Sequence, residues 1–453
     1  MRRILLYALV LVNLLPVSGA QARDKFLDIQ NIKTPGGITV WHVEDHSLPI
    51  IAVRFMFLES GTALDLENQQ GLVRLLSNTM DEGAGKIDSQ NFQKILTDDS
   101  ITLRFSAGRD GFGGQLETLT RNRDKAFGLM KLAVTSPRFD NEPVERMKAS
   151  NLARIRSSMS DPDWMAARLI NDIAFQGHPY AMNSGGTLTT MATLEPGDLR
   201  KFQEQMLTKD RLIIAATGDI DAKALAGLVD YVFGSLPEKA PDKTVPDGTV
   251  ANAGQTVLYK QDVPQTFIEI SMPAFDRDDP DYFALKVMNY IFGGAGFGSR
   301  LMEEAREKRG LTYGIYSSID NYRHMNTLGI STSTKNESAG EMLSVIKKQM
   351  KNMQKRKVTD KELADAKSYL IGSMPLALSS TEQIAGMVLT LQSEDLPIDY
   401  MDHYAEKISA VTPEDIQRVA ERILDPDKMT TVIVGNPEGI KPTQTVTELP
   451  NVR

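Results

Sequence analysis

One stretch of the chain occurs twice, and this repeat constrains the fold more than any other feature of the sequence. A single spacing of 217 positions separates Pro196 from Pro413, Asp198 from Asp415, Leu207 from Leu424, Asp210 from Asp427 and Gly218 from Gly435. In both copies a helical pattern runs into an apolar strand that ends at a glycine. Five matches at one offset without a gap predict two similar domains of roughly 200 residues each, and 453 residues are enough for two cores.

A polar segment rich in proline and glycine marks the boundary between the two copies. We predict a first domain at residues 26–236, a linker at 237–254 and a second domain at 255–437. The remaining residues, 438–453, contain two prolines and predict a loose tail.

Local patterns mix strands with helices in both domains. The predicted strands are residues 50–57 and 266–272, and the predicted helices are residues 126–134 and 341–353. Thr359 and Glu362 form a capping-box pattern that opens a further helix. The sequence therefore predicts an α+β fold made twice, with two homologous domains in tandem, each a mostly antiparallel sheet packed with helices.

The first 22 residues have the pattern of a signal peptide. Arg2 and Arg3 precede an apolar run at residues 4–15, and Ala20-Gln21-Ala22 is a small-x-small cleavage site. Twelve apolar residues are too few to cross a bilayer comfortably. We expect cleavage after Ala22, a periplasmic or secreted protein and no stable membrane span; an uncleaved anchor is the alternative.

Charge and cysteine content exclude two classes of function. Loss of Arg2 and Arg3 would change the formal charge from −8 to −10, which disfavours nucleic acid as a partner. The chain has no cysteine, which excludes thiol catalysis and thiolate metal sites.

The second copy carries the strongest functional motif. Its residues are Gly293-Gly294-Ala295-Gly296-Phe297-Gly298-Ser299-Arg300-Leu301, followed by Arg306 and, seven positions later, Tyr313. This segment resembles the substrate-gripping segment of the M16 zinc peptidases, the insulinase-like and pitrilysin-like family that includes the mitochondrial processing peptidases. The resemblance extends over nearly the whole mature chain and implies an M16/LuxS-metallohydrolase-like fold. It also implies that Arg306 and Tyr313 hold the scissile peptide, and that Gly293, Gly294, Gly296, Gly298 and Arg300 contact substrate.

The first copy departs from the family at the metal site. Members carry His-x-x-Glu-His on a helix, and this chain has Arg74, Ser77 and Asn78 at those positions. The further glutamate ligand, about 76 residues later, is replaced by Arg154. A guanidinium is a fixed cation with no acceptor, and a serine cannot serve as the general base, so we predict no metal at these four degenerate positions.

Several of these motifs also have a structural interpretation. The glycine run lacks the Gly-Lys-Ser/Thr ending of a phosphate-binding loop and follows a helix, which leaves a flexible loop as its alternative. Arg306 and Tyr313 could be a surface arginine and a core tyrosine. His42 and His46 lie about 13 Å apart on a strand, too far for one ion, and are interpreted as a strand end and surface loop.

The resemblance therefore implies a companion subunit of a two-chain peptidase. Such a subunit would bind unfolded peptide and contribute Arg306 and Tyr313, while a zinc-bearing M16 paralogue would supply the metal in a heterodimer. No cofactor is expected in this chain. One alternative is a non-catalytic scaffold or binding protein that kept the fold, and another is a zinc peptidase with ligands not recognised here.

Overall fold

The structure is a computed structural model that describes residues 25–449 and residue 452. The predicted signal peptide lies outside these residues. Within them, no helix is both long enough and apolar enough to cross a membrane.

The strands form two six-stranded sheets. Their bounds are β1 Gln30–Lys33, β2 Thr39–Glu44, β3 Ile50–Leu58, β4 Thr102–Ala107, β5 Gly111–Leu119, β6 Leu212–Gly218, β7 Thr256–Lys260, β8 Gln265–Pro273, β9 Ile315–Tyr322, β10 Met325–Lys335, β11 Thr430–Gly435 and β12 Gln444–Val446.

The α-helices cover the outer faces of the sheets and also lie between them. Their bounds are α1 Leu72–Ser77, α2 Ser89–Asp98, α3 Arg123–Thr135, α4 Asn141–Ser158, α5 Pro162–Ala174, α6 Leu188–Thr193, α7 Pro196–Met206, α8 Ala222–Phe233, α9 Tyr282–Asn289, α10 Arg300–Met302, α11 Ala339–Lys355, α12 Asp360–Gly372, α13 Thr381–Ser393, α14 Tyr400–Ala410 and α15 Pro413–Ile423.

The two sheets share one topology, as the sequence repeat requires. The strand orders are β1-β2-β6-β3-β5-β4 and β12-β7-β11-β8-β10-β9. Strand β2 is parallel to β6 in the first sheet, and β7 is parallel to β11 in the second. In each sheet the three strand pairs that come later in the order are antiparallel. The predicted α+β fold with two mostly antiparallel sheets is confirmed.

The first edge strand differs between the sheets, and here one prediction is wrong. Strand β1 precedes its sheet in the chain and is antiparallel to β2, whereas β12 comes from the C-terminal tail and is parallel to β7. The tail at residues 438–453 is therefore not loose throughout. The edge of β7 offers unpaired backbone groups, and the three residues of β12 are enough to pair with them. Three residues are too few to show the alternation of apolar and polar side chains that predicts a strand.

The chain forms two units, each a sheet with its own helices, and one helix of each unit packs on the sheet of the other. Helix α5 packs its apolar face on β11 and β8, with Leu169 contacting Val257 and Val432. Helix α13 packs on β6 and β3, and its Gln392 side chain donates to the Ile214 carbonyl oxygen at 2.8 Å. This exchange buries one face of each sheet and joins the two units.

A buried arginine lies where the units meet. Arg109, in the turn between β4 and β5, has its guanidinium carbon 5.0, 4.9 and 4.5 Å from the ring centres of Phe175, Tyr180 and Tyr322. Its Nη2 donates to Asn171 Oδ1 at 2.7 Å. Tyr322 belongs to the second unit, so this cation–π cluster ties β9 to the first unit.

A histidine forms the neighbouring polar link between the units. His324 Nε2 lies 2.8 Å from Glu59 Oε1, and its Nδ1 lies 2.9 Å from Asp247 Oδ1. Burial works to lower the pKa of His324, but the hydrogen bonds to Asp247 and Glu59 outweigh it and raise the pKa above its usual value.

This histidine should make stability depend on pH. A raised pKa in the folded state means that the stabilisation is fully present below the unfolded pKa of about 6.5 and is lost as pH rises through the folded value. We expect His324→Gln to lower the free energy of unfolding by about 1 kcal/mol at pH 5.5, after screening by solvent, and by much less at pH 9. Denaturant unfolding at the two pH values measures the difference.

The control is His403→Gln, at a half-exposed position on α14. It should change stability by less than about 0.5 kcal/mol at either pH. An equal effect of His324→Gln at both pH values would contradict the assignment of a charged histidine to this link.

Candidate functional site

The glycine run continues helix α9 through a π-helical turn, Tyr290–Gly294, a feature often found at functional sites. A Cβ on Gly293 would lie 2.4 Å from Ser317 Oγ, so this glycine lets the turn pack against β9. Gly296 has φ +57°, and a Cβ on Gly296 or Gly298 would meet open space or a distant methyl group. The first glycines therefore serve packing, and the later ones leave the backbone accessible.

Arg300 is committed to a contact within the chain. Its Nε and Nη2 donate to Glu362 Oε1 and Oε2 at 2.6 and 2.9 Å, which ties α10 to α12. Burial works to raise the pKa of Glu362, but the bonds from Arg300 and Thr359 lower it to about 2. Thr359 and Glu362 form the predicted capping box. The assignment of Arg300 to substrate stays a prediction, and the observed contact is structural.

Arg306 and Tyr313 lie on the surface with an aromatic neighbour. Arg306 belongs to a second π-helical turn, Glu303–Glu307, and its guanidinium carbon lies 4.4 Å from the ring centre of Phe297 in the glycine run. Tyr313 is 85% exposed and Phe297 is 67% exposed. In the part of the chain that the structure describes, the Tyr313 hydroxyl has no hydrogen-bond partner. The structure thus joins the glycine run to Arg306 and presents Tyr313 to solvent.

Tyr313 precedes the free edge of the second sheet. Strand β9 pairs with β10 on one side, and it is the last strand in the order. Tyr316, on β9 itself, is 53% exposed. An edge strand with exposed aromatic side chains can accept an extended peptide as an additional strand.

Helix α1, which carries the degenerate positions, is fixed at its start by a residue that the sequence analysis missed. The buried carboxylate of Asp65 accepts the backbone N–H groups of Gly71 at 2.8 Å and Val73 at 3.2 Å. Burial raises the pKa of Asp65 to about 8, while these donors work in the opposite direction. An aspartate directly before a helix is a recognised N-cap signal. Asp65 lies six residues before Gly71, which precedes α1, so the sequence pattern did not reveal this contact.

The degenerate positions do come together. Asn151 on α4 donates to Asn78 Oδ1 at 3.1 Å, and Arg154 Nη2 donates to Asn151 Oδ1 at 3.2 Å. Burial, and after it the charge of Arg154, lowers the pKa of Arg74. Ser77 Oγ donates to the Arg74 carbonyl oxygen at 2.8 Å. Asn151 is the member of this cluster that motif spacing did not identify.

The histidines have structural partners. His42 is buried, not on a surface loop as expected, and its ring nitrogens lie 3.1 and 2.9 Å from the carbonyl oxygens of Ala216 and Ile220. His46 lies between Glu44 and Asp219, whose hydrogen bonds raise its pKa. The His178 side chain accepts the Tyr180 N–H and so caps the turn at residues 179–181.

Comparison with known proteins places this geometry in a family. Residues 193–370 match the family described as the peptidase M16 inactive domain. This segment is a peptidase M16 inactive domain. The match begins in the first unit and includes the glycine run, Arg306 and Tyr313.

The similarity to known proteins extends over almost the entire chain. A protein of Helicobacter pylori called non-peptidase homolog YmxG is 26% identical over 412 residues, covering 90% of this chain and 93% of its own. The mitochondrial-processing peptidase subunit beta of Saccharomyces cerevisiae is 20% identical over 426 residues, covering 89% and 90%. The crystal structure of a peptidase M16 inactive domain from Pseudomonas fluorescens has a TM-score of 0.85 and 27% identity, covering 92% of this chain and all of that one.

The residues present do not fit the zinc ion of M16 peptidases. Two of the four positions are guanidiniums, which carry positive charge and offer no lone pair to a metal. Across residues 25–449 and 452, no group of three or more histidine, cysteine, aspartate or glutamate side chains could hold a metal ion. No step of chemistry in this chain is therefore assigned to a bound zinc.

Proposed function

We propose that this M16 chain is the zinc-free companion subunit of a two-chain peptidase. It binds extended peptide and contributes Arg306 and Tyr313, while a zinc-bearing M16 partner activates the attacking water. The predicted signal peptide would direct this chain to the periplasm or out of the cell. There the pair would degrade or process unfolded peptides.

The chemistry follows from the donors that the two side chains offer. Guanidinium N–H groups and a phenolic O–H can donate to the carbonyl oxygen of the scissile peptide and to the oxyanion that develops from it. A peptide added to the edge of β9 would place its backbone beside Tyr313, because the tyrosine lies just before that strand.

The observation that carries the proposal is the exposure of Tyr313. A tyrosine with 85% of its surface exposed and no partner in the described chain does not serve the core. Arg306, held on Phe297 by a cation–π contact, has no strong carboxylate competitor among the described residues, since the Glu307 carboxylate lies 3.7 Å from its Nε. This arrangement suits two donors that act on a group from outside the chain.

The test combines this chain with an M16 protein of the same organism that retains His-x-x-Glu-His. We expect the two to copurify, and a mixture to cleave an unstructured peptide at a rate that neither chain reaches alone. Replacing the glutamate of the partner's motif should abolish this activity, and metal analysis should find zinc in the partner.

Two results would overturn the proposal. One is chelator-sensitive cleavage by this chain alone, with one zinc ion tightly bound to it. The other is a stable complex in which substitution of Arg306 and Tyr313 leaves cleavage unchanged, which is the result that a scaffold predicts.

A further inference from the structure

Two arginines of the first unit approach each other where relatives of this family bind metal, and no carboxylate accompanies them. We call Arg74 and Arg154 the arginine pair. Among the contacts of the described residues, neither guanidinium forms an ion pair, and Arg154 donates to the neutral amide of Asn151. The Nε of Arg74 is buried without a hydrogen-bond partner.

An anion would stabilise this arrangement, in which Arg74 is half-buried and Arg154 is exposed to solvent. Two like charges close together repel, and a buried donor without an acceptor loses its hydration without replacement. The side chains that hydrogen-bonding links to Arg154 are neutral: it donates to Asn151, which donates to Asn78. Other arginines of the chain, such as Arg300 and Arg168, pair with carboxylates.

We propose that the arginine pair binds a carboxylate of a peptide, either its C-terminal carboxylate or an acidic side chain. The inference rests on the proposed function in taking a peptide as the ligand. A carboxylate fits because its two oxygens match the fork of a guanidinium, so that one group can accept from both arginines. The loss of metal would thus have converted this position from a cation site into an anion site.

The experiment measures peptide binding by the purified chain without any partner, by fluorescence anisotropy at low salt. Three labelled peptides of one sequence are compared: a free C-terminus with an internal glutamate, an amidated C-terminus with the glutamate, and an amidated C-terminus with glutamine in its place. We expect at least one carboxylate to strengthen binding by about tenfold or more, and added salt to weaken that gain.

The variants are Arg74→Gln, Arg154→Gln and a matched control, Arg156→Gln, an exposed arginine on the same helix. Each substitution in the pair should remove most of the carboxylate preference, and Arg156→Gln should preserve it. The melting temperature of Arg154→Gln should not fall, because the substitution relieves like-charge repulsion.

Equal binding of all three peptides, or an equal loss in Arg156→Gln, would overturn the inference. Failure here leaves the proposed function intact, because cleavage by the two-chain complex depends on Arg306 and Tyr313 and is measured separately. Failure of that complex to cleave would likewise leave carboxylate binding by the isolated chain measurable.

Discussion

Replacing Tyr313 by phenylalanine should slow peptide cleavage by the two-chain complex about 10²–10³-fold, the usual effect of removing one preorganised donor to an oxyanion. The substitution removes a single hydroxyl from a side chain that is 85% exposed, so folding and assembly should be unchanged. Because the donor acts on charge that develops in the transition state, kcat should fall while KM changes little. Steady-state cleavage of a fluorogenic peptide measures both.

The matched control is Tyr231→Phe. Tyr231 is 49% exposed on α8 of the first unit, away from the glycine run. This variant should cleave at the wild-type rate. Arg306→Lys offers a second comparison, since it keeps the charge but loses the planar fork of donors, and it should also slow cleavage. A Tyr313→Phe complex within twofold of the wild-type rate would remove Tyr313 from the mechanism.

The second large effect is expected at a glycine of the sequence repeat. Gly218→Ala should destabilise the chain by about 3 kcal/mol or more. Gly218 has φ +122°, and a Cβ there would lie 2.0 Å from the Ile50 carbonyl oxygen. That oxygen accepts the Asp219 N–H at 2.9 Å, so the backbones cannot separate without losing a bond. Positive φ and a clash with backbone both add to the cost.

Two further substitutions test this explanation by denaturant unfolding. Gly435→Ala, at the equivalent end of β11, has φ +145° and a Cβ 2.9 Å from the Thr266 Cα, and it should also destabilise. Gly197→Ala lies in the first turn of α7 with nothing within 4 Å, and it should be neutral or stabilising by up to about 1 kcal/mol. If Gly218→Ala unfolds at the denaturant concentration of the wild type, the close backbone approach does not limit this position.

Much of the fold follows from local patterns. The predicted strands at 50–57 and 266–272 are β3 and β8, and the predicted helices at 126–134 and 341–353 are α3 and α11, each within three residues at either end. These segments are long, strongly patterned and buried on one face, the conditions under which periodicity is informative. Strand β12 has three residues and no such pattern, so the sequence predicts a loose tail where the structure has a short strand.

The candidate site divides in the same way. Motif spacing predicts roles for Arg306 and Tyr313, and residue identity alone shows which side chains stand at positions 74, 77, 78 and 154. It did not reveal that Arg300 is held by Glu362, that Asn151 links Asn78 to Arg154, or that His324 bridges the two units. Apart from the bond between Asn151 and Arg154, three positions apart on α4, each of these contacts joins residues far apart in the chain, with no fixed spacing to read.

The sequence by itself determined that the chain contains one fold twice and that Arg74, Ser77, Asn78 and Arg154 stand at the four positions compared with the M16 zinc site. Both are properties of residue identity and order, which no packing can alter. The tertiary structure alone decided which arginines pair with carboxylates and which meet each other without one. That choice depends on how α1, α4, α10 and α12 pack, and hence on long-range burial that no local pattern encodes.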